Sequence, residues 1–439
     1  MTEGVGMATI PTLKSLVFQE SQGLPPHRSK AVASATARWD RFASMAKMSA
    51  GISERLNRLP PYMFGRLNAQ KLAMRRRGID VIDLGMGNPP DPTPELVVEK
   101  LREAVLDPRN HRYSVSAGLD NLRLELARLY RRYWGVKLDP DSEIVACIGS
   151  KEGFSHACIA LLDPGDTVLV PTPAFPIHIY GPALAGANVL RLPMGTETAF
   201  LRQLDDVSRH LYPRPKVLIL NYPHNPTARV ISEDFFKEVV AIARRTGLMV
   251  IHDFAYGVTT FDGYKAPSFM QARGAKSVGI EFFTLSKGWN MAGWRIGFAV
   301  GNREMIAALT QVKGYYDYGI FAPVQIAAIM AMRHCDDEVA KQAMRYQRRR
   351  DCLMRGLRRI GWKPKKPKAT MFAWVRIPER YRKMGSMDFA MLLLEKAQVA
   401  TAPGAGFGIE GEGYLRMALV ENEQRLNQAV RQIDRALRM

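Results

Sequence analysis

No stretch of this chain approaches the roughly 18–20 consecutive apolar residues that a membrane-spanning helix needs, because every apolar run is broken within a few residues. The body of the chain is therefore expected to be soluble, with no membrane partner. Cysteine is scarce. The four thiols, Cys147, Cys158, Cys335 and Cys352, form no C-x-x-C pair, which argues against a zinc knuckle and a disulfide scaffold. They read as small buried hydrophobes in a reducing compartment, so a cytoplasmic location is expected. No His, Cys or Asp spacing suggests a metal, and no internal repeat is evident. Acidic residues are in deficit, 42 against 62 Lys and Arg, for a net charge of +20. The basic clusters (Arg75-Arg76-Arg77, Arg348-Arg349-Arg350 and Lys363 to Lys368) lack the interleaved aromatics that stack bases, and two of them sit on helical patterns as solvated faces. No nucleic-acid partner is expected. The positive balance suits an anionic cofactor and anionic substrates as well.

What is present is ordinary globular usage, 47% hydrophobic and 24% charged, over 439 residues. That length suits a large enzyme domain with a smaller companion. Residues 1–50 stand apart. They are rich in Ser, Ala and Arg, lack sustained apolar periodicity, and contain Met7, Met45 and Met48 as possible alternative starts. A disordered extension or an overlong reading of the gene start is expected there, and Glu3, Glu20 and Asp40 weaken a transit-peptide reading. From Leu59 onwards order is expected. Pro60-Pro61 precedes a helical pattern through Arg77, and "IDVIDLGMGNPP" reads as a short strand into a turn.

To about residue 300, β-rich apolar runs ("EIVACIGS", "TVLVPTPAF", "KVLILNYP", "LMVIHDFAYG", "EFFTLSKGW") alternate with helical stretches such as "EDFFKEVVAIARRTG". The alternation predicts an α/β domain whose mostly parallel sheet lies between helices. From about Pro323 one long helical pattern is predicted to Ile360. A smaller α+β unit follows, with strands "MFAWVRIP" and "YLRMALV", helices "SMDFAMLLLEKAQ" and "NEQRLNQAVRQIDRAL", and the loop "PGAGFG". The expected domains are a large one over residues 96–325 and a small one assembled from residues 51–95 and 326–439, the latter including the long connecting helix.

The chemistry-bearing residues each follow an apolar strand, and in open α/β sheets ligands sit beyond the carboxyl ends of the strands. Asn225, Asp253, Tyr256 and Lys287 are thereby expected in one pocket, bringing an amide, a carboxylate, a phenol and an amine. An amine on a short loop can form a Schiff base with an aldehyde cofactor. A carboxylate can keep a pyridine nitrogen protonated, which makes the ring a better electron sink. The phenol and the amide can bond a ring oxygen. The turn in "GSKEGFSHACIA" opens a helix and offers N–H groups to a phosphate, which Arg295 could clamp as a fork.

In order and spacing, "NYPHNPTA", "HDFAYG" and "TLSKGWNMAGWRIGF" resemble the signature blocks of fold-type I, class I/II pyridoxal-phosphate aminotransferases, and the likeness runs from about Leu59 to the last residues. The phrases "RLPPYMFGRLN", "GSKEGFSH", "PIHIYG" and "KGWNMAGWRIGF" are most similar to the glutamate–pyruvate (alanine) and LL-diaminopimelate aminotransferases. The resemblance implies a ping-pong aminotransferase with pyridoxal 5'-phosphate as cofactor. It implies that Lys287 carries the cofactor and moves the proton, that Asp253 pairs with the ring nitrogen, and that Tyr256 and Asn225 bond the 3-oxygen. Phe175 would stack on the ring. Ser150, Lys151 and Glu152 would give the phosphate turn, mainly through the main chain, with the Lys151 side chain in solvent. Thr284, Ser286 and Arg295 would complete the phosphate cup, and Tyr113 would reach the phosphate of a neighbouring subunit in a homodimer with shared sites. Arg416 would hold the substrate α-carboxylate with Gly87 nearby, and the "PGAGFG" loop would lie close to it. Alanine and 2-oxoglutarate are the expected pair, with LL-diaminopimelate or aspartate as alternative donors. Other reactions on the same scaffold (β-elimination, decarboxylation, ring closure) stay open, and a regulator with an aminotransferase-like domain is the remote alternative.

The sequence departs from the usual pattern in NPTA for NPTG at Ala228, expected to open a helix, in Phe at position 175, and in Thr at position 284. No ligand role is expected for His156, His178, His224 or His252.

Overall fold

The computed structural model describes residues 53–57, 59–60 and 64–438. The expected extension over residues 1–50 lies outside them. The helical turn Glu54–Asn57 belongs to a unit that ends at Gly65. The unit from Arg66 onwards carries everything that follows.

Its strands in chain order are β1 (Ile82–Asp83), β2 (Ile144–Cys147), β3 (Thr167–Thr172), β4 (Asn188–Pro193), β5 (Val217–Asn221), β6 (Met249–Asp253), β7 (Gly279–Thr284), β8 (Gly297–Gly301), β9 (Phe372–Arg376), β10 (Val399–Ala400), β11 (Ala402–Pro403) and β12 (Tyr414–Ala418). Seven of them make one sheet in the order β2-β8-β7-β6-β5-β3-β4. Only β8 runs antiparallel to its neighbours, so the α/β expectation with a mostly parallel sheet holds.

Side chains alternate across this sheet, and both faces are covered. Leu218, Leu220, Val250 and Phe283 face one core, built with helices Asp120–Trp134 and Glu233–Thr246. Val217, Ile219, Ile251 and Phe282 face the other, built with helices Ser150–Leu161 and Arg303–Tyr316. A strand buried on both faces has no polar face to alternate with, hence the continuous apolar runs in sequence. Each fully buried aliphatic or phenyl side chain contributes about 1.5–3 kcal/mol. Helix Glu233–Thr246 begins where Ser232 Oγ accepts from the Phe235 amide at 3.3 Å and ends at Gly247, whose φ of +76° suits a residue without Cβ.

A third core unites Leu67, Met74, Ile82 and Leu84 with residues from 346 to 437. It holds the antiparallel sheet β11-β12-β9 and the parallel pair β1-β10. The long helical pattern expected from Pro323 to Ile360 is two helices, Ala322–His334 and Asp336–Arg359. The break is at Cys335, whose φ of −114° and ψ of 28° are not helical. The acidic run Asp336-Asp337-Glu338 starts the second helix, where carboxylates favour the N-terminal dipole.

Candidate active site

Strand β7 ends at Thr284, and the chain turns through Leu285 and Ser286 to Lys287. Leu285 and Trp289 are fully buried, and the Trp289 indole donates to the Ala331 carbonyl at 2.9 Å, so the lysine loop is pinned on both sides. Gly288 sits where a Cβ would come within 2.5 Å of Val258. Lys287 Nζ donates to the Gly87 carbonyl at 3.0 Å. Gly87 permits that approach, since a Cβ there would meet the Phe372 ring at 2.6 Å. Burial, followed by the Arg416 and Arg295 charges, pulls the Lys287 pKa down to about 8, with Asp253 opposing.

Asp253 ends β6, directly across from Asn221 at the end of β5. Its Oδ2 lies 2.9 Å from His178 Nε2 and its Oδ1 accepts from the Ala255 amide at 3.2 Å. Asn221 donates to the Asp253 carbonyl at 2.7 Å and accepts from the Asn225 amide at 2.9 Å, tying the two loops together. Tyr256 is buried, and burial pushes its phenol well above the ordinary tyrosine range. Phe175 caps helix Pro176–Leu184 and its ring meets the His178 ring edge-on at 5.8 Å.

Arg416 lies in the middle of β12 and is buried. Its Nη1 donates to Asn225 Oδ1 and its Nη2 to the Gly85 carbonyl, each at 2.9 Å. The guanidinium is 4.1 Å from the centre of the Phe372 ring and 4.7 Å from that of Phe407. Two aromatic faces and two oxygens thus hold a permanent charge out of bulk water. With Asn225 Oδ1 occupied by Arg416, Asn225 is left its Nδ2 as a donor to any ring oxygen.

At the other end, Gly149 (φ +76°) precedes helix Ser150–Leu161. Arg295, itself in the left-handed region at φ +54°, donates to the Ala292 carbonyl at 3.0 Å and reaches the Ile148 carbonyl at 3.5 Å. A Cβ on Gly149 would overlap the Arg295 guanidinium. Ser286 Oγ lies 2.9 Å from Thr284 Oγ1, whose own hydroxyl is directed to the Ile296 carbonyl at 3.0 Å. The free N–H groups of a helix start, a hydroxyl and a guanidinium, around a glycine that leaves room, fit a phosphate. The amine, carboxylate and phenol beside them fit a pyridine aldehyde.

The structure brings together Lys287, Asp253, Tyr256, Asn225, Arg416 and Gly87 at one end and Ser150, Thr284, Ser286 and Arg295 at the other. The Lys151 side chain is exposed. The Glu152 carboxylate turns back to accept from the Ile148 amide at 2.6 Å. Tyr113 stands on the surface, 92% exposed, with its ring 5.4 Å from that of Tyr318. Ala228 corrects an expectation. It opens no helix, since the next one starts at Glu233; it sits in a turn at φ +54°, a conformation that favours glycine. Sequence reasoning passed over His178, although it lies three residues after Phe175. It also passed over Phe372, which carries no signal short of its neighbours in space, whereas Phe407 belongs to the "PGAGFG" loop that was expected beside Arg416.

Residues 79–433 match the family described as Aminotransferase class I and II. The chain is 49% identical over 382 residues to the glutamate–pyruvate aminotransferase AlaC of Escherichia coli (strain K12), covering 86% of this chain and 92% of that protein. It is 43% identical over 385 residues to an LL-diaminopimelate aminotransferase of Moorella thermoacetica, covering 88% and 98%. Among solved structures, substrate-bound BacF from Bacillus subtilis superposes with a TM-score of 0.83 at 34% identity, covering 88% of this chain and 97% of that one. This chain therefore belongs to the class I and II aminotransferases, and is an enzyme dependent on pyridoxal phosphate.

Proposed function

We propose that this aminotransferase moves the amino group of L-alanine to 2-oxoglutarate, giving pyruvate and glutamate. The observation that carries the reading is Arg416, a buried guanidinium already held by Asn225 and the Gly85 carbonyl, which suits the single carboxylate of a small donor. Similarity to a glutamate–pyruvate aminotransferase supports the choice of donor. LL-diaminopimelate is the second reading, because relatives at 43% identity carry that name. Any substrate with a charged far end, LL-diaminopimelate and the acceptor 2-oxoglutarate alike, needs a paired group there, since an unpaired buried charge costs far more than a missing methyl gains.

Bound pyridoxal phosphate supplies an aldehyde and an electron-withdrawing ring. Lys287 would hold the aldehyde, and once the substrate amine has displaced it, its Nζ would carry the proton from the substrate Cα to the former aldehyde carbon. A pKa near 8 leaves part of that amine neutral at neutral pH, as a base requires. Asp253, oriented by His178, keeps a proton on the ring nitrogen. Tyr256 and the Asn225 Nδ2 donate to the ring oxygen, and Phe175 covers a ring face. Main-chain N–H groups of Ser150, Lys151 and Glu152 hold the phosphate with Ser286 and Arg295, and Thr284 fixes Ser286. Gly87 lines the substrate side. The exposed Tyr113 completes the phosphate site of a second copy, so the active unit is a homodimer in the cytoplasm. Of the unit from Arg66 onwards, residues 96–325 make the large domain, and residues 66–95 with 326–438 make the small one.

The test is kcat/KM for alanine against LL-diaminopimelate, aspartate and phenylalanine, with 2-oxoglutarate fixed. Alanine is expected to lead. A rival ahead by tenfold or more overturns the donor and leaves the aminotransferase standing.

A further inference from the structure

A buried charged cluster lies behind the first turn of helix Ser150–Leu161. Lys313, on helix Arg303–Tyr316, is fully buried, and its Nζ is 3.2 Å from Glu152 Oε1 and 3.0 Å from Asp317 Oδ2. His156 Nδ1 is 2.5 Å from Glu152 Oε1 and 3.6 Å from Asp317 Oδ2. Glu152, His156 and Asp317 present three potential metal donors within 4.8 Å of one another, but the ammonium of Lys313 already supplies the cation. Burial pushes the Lys313 pKa down, but the neighbouring Cys147, Glu152 and Asp317 outweigh it and hold the value above the ordinary one.

Such a cluster is poor value as a source of stability, since apolar residues of equal volume often do as well or better. Its two ends suggest another use. Glu152 Oε2 accepts from the Ile148 amide at 2.6 Å, and the Ile148 carbonyl faces the Arg295 guanidinium at 3.5 Å. Asp317 Oδ1 accepts from the Gly319 amide at 2.8 Å and so shapes the segment whose Tyr318 packs on Tyr113. We infer that Lys313 is a positioning residue for the cofactor phosphate: by fixing Glu152 it sets the angle of the Ile148–Gly149–Ser150 turn. The inference rests on placing the phosphate at that turn.

The test compares binding of pyridoxal phosphate and of pyridoxal, which lacks the phosphate, to the apoenzymes of wild type, Lys313→Met and Lys313→Arg. In Lys313→Met the Kd for pyridoxal phosphate should rise at least tenfold and that for pyridoxal less than threefold, with Lys313→Arg recovering part of the loss. Should Lys313→Met fail to fold, Glu152→Gln replaces it, because the Lys313–Asp317 pair survives there. In Glu152→Gln the negative charge is lost, and the NH2 that replaces one oxygen faces either the Lys313 ammonium or the Ile148 amide, donor against donor, so at least a fivefold rise for the phosphate form alone is expected. Equal weakening of both ligands would mark a merely structural lysine and overturn the inference, as would unchanged affinity. If wild type itself bound the two ligands alike, the phosphate site would be misplaced, which is a separate failure.

Discussion

At the end that holds Asp253 and Arg416, every charged side chain already has a partner within the chain: His178 for the carboxylate, Asn225 and the Gly85 carbonyl for the guanidinium. At the Gly149–Arg295 end the donors are mostly main-chain N–H groups, and the one guanidinium rests on carbonyl oxygens beside a glycine with no Cβ. On the proposed assignment, the contrast follows from what each end must do. Bond-making needs groups held at fixed angle and fixed charge before the reactants arrive, which side-chain pairs provide. A phosphate carries its own charge and needs many donors with space between them.

The largest expected effect breaks the reacting end. Lys287→Ala should retain the fold and bind cofactor through the phosphate turn while losing turnover by roughly five orders of magnitude, about 7 kcal/mol of barrier. Single-turnover kinetics of the purified variant check it, and near-wild-type rates would remove Lys287 from its role. Next comes Asp253→Ala, with kcat expected to fall about a thousandfold, roughly 4 kcal/mol. His178→Ala should cost only about tenfold, since it acts through Asp253; equal losses would mean that His178 touches the ring itself.

A third prediction separates catalysis from stability. The folded chain disfavours the Lys287 ammonium, with a pKa of about 8 against 10.5 for a free lysine. Lys287→Met should therefore stabilise the apoenzyme at pH 7, by up to about 3 kcal/mol. The wild-type penalty is present in full below pH 8 and fades as pH rises towards 10.5, because the unfolded chain then sheds the proton too. Denaturant melts of both proteins at pH 7 and pH 10 should show the gap closing; a gap that widens contradicts it.

The same physics explains what was legible in the sequence. Strands β2, β3, β5, β6 and β7 stood out because both their faces are buried. Strand β4 is an edge strand with one buried residue in six, and β8 begins and ends in glycine, so neither announced itself. Lys287, Asp253, Tyr256 and Asn225 were visible from their order after strands. Arg416 was visible only through resemblance. Lys313 was not visible at all, being 161 residues from Glu152.

The phosphate end should yield to a smaller change. Gly149→Ala adds a methyl where the Arg295 guanidinium lies, at a φ of +76°. Cofactor Kd should rise at least tenfold, about 1.4 kcal/mol or more, measured by equilibrium titration. An unchanged Kd would mean that the phosphate does not sit there. The smallest effect concerns Ala228, whose left-handed conformation costs about 1 kcal/mol relative to glycine. Ala228→Gly should shift the melting free energy by less than about 1 kcal/mol towards stability, since lost strain is partly offset by a freer unfolded chain. A clear destabilisation would show that the buried methyl matters more than the backbone.

The Arg416–Gly85 hydrogen bond joins groups 331 residues apart. That span sets a timetable as well as a geometry. On a ribosome adding ~5–20 residues per second, roughly 17–66 s separate the making of residue 85 from that of residue 416. Once residue 287 has been made, the strands that carry Lys287 and Asp253 can form, yet the guanidinium that anchors Asn225 is not there to receive it. With Arg416 as the proposed carboxylate site, a nascent chain can thus hold most of its sheet and still lack that site, so binding of substrate would not begin to protect the enzyme until almost all of the described chain has been made.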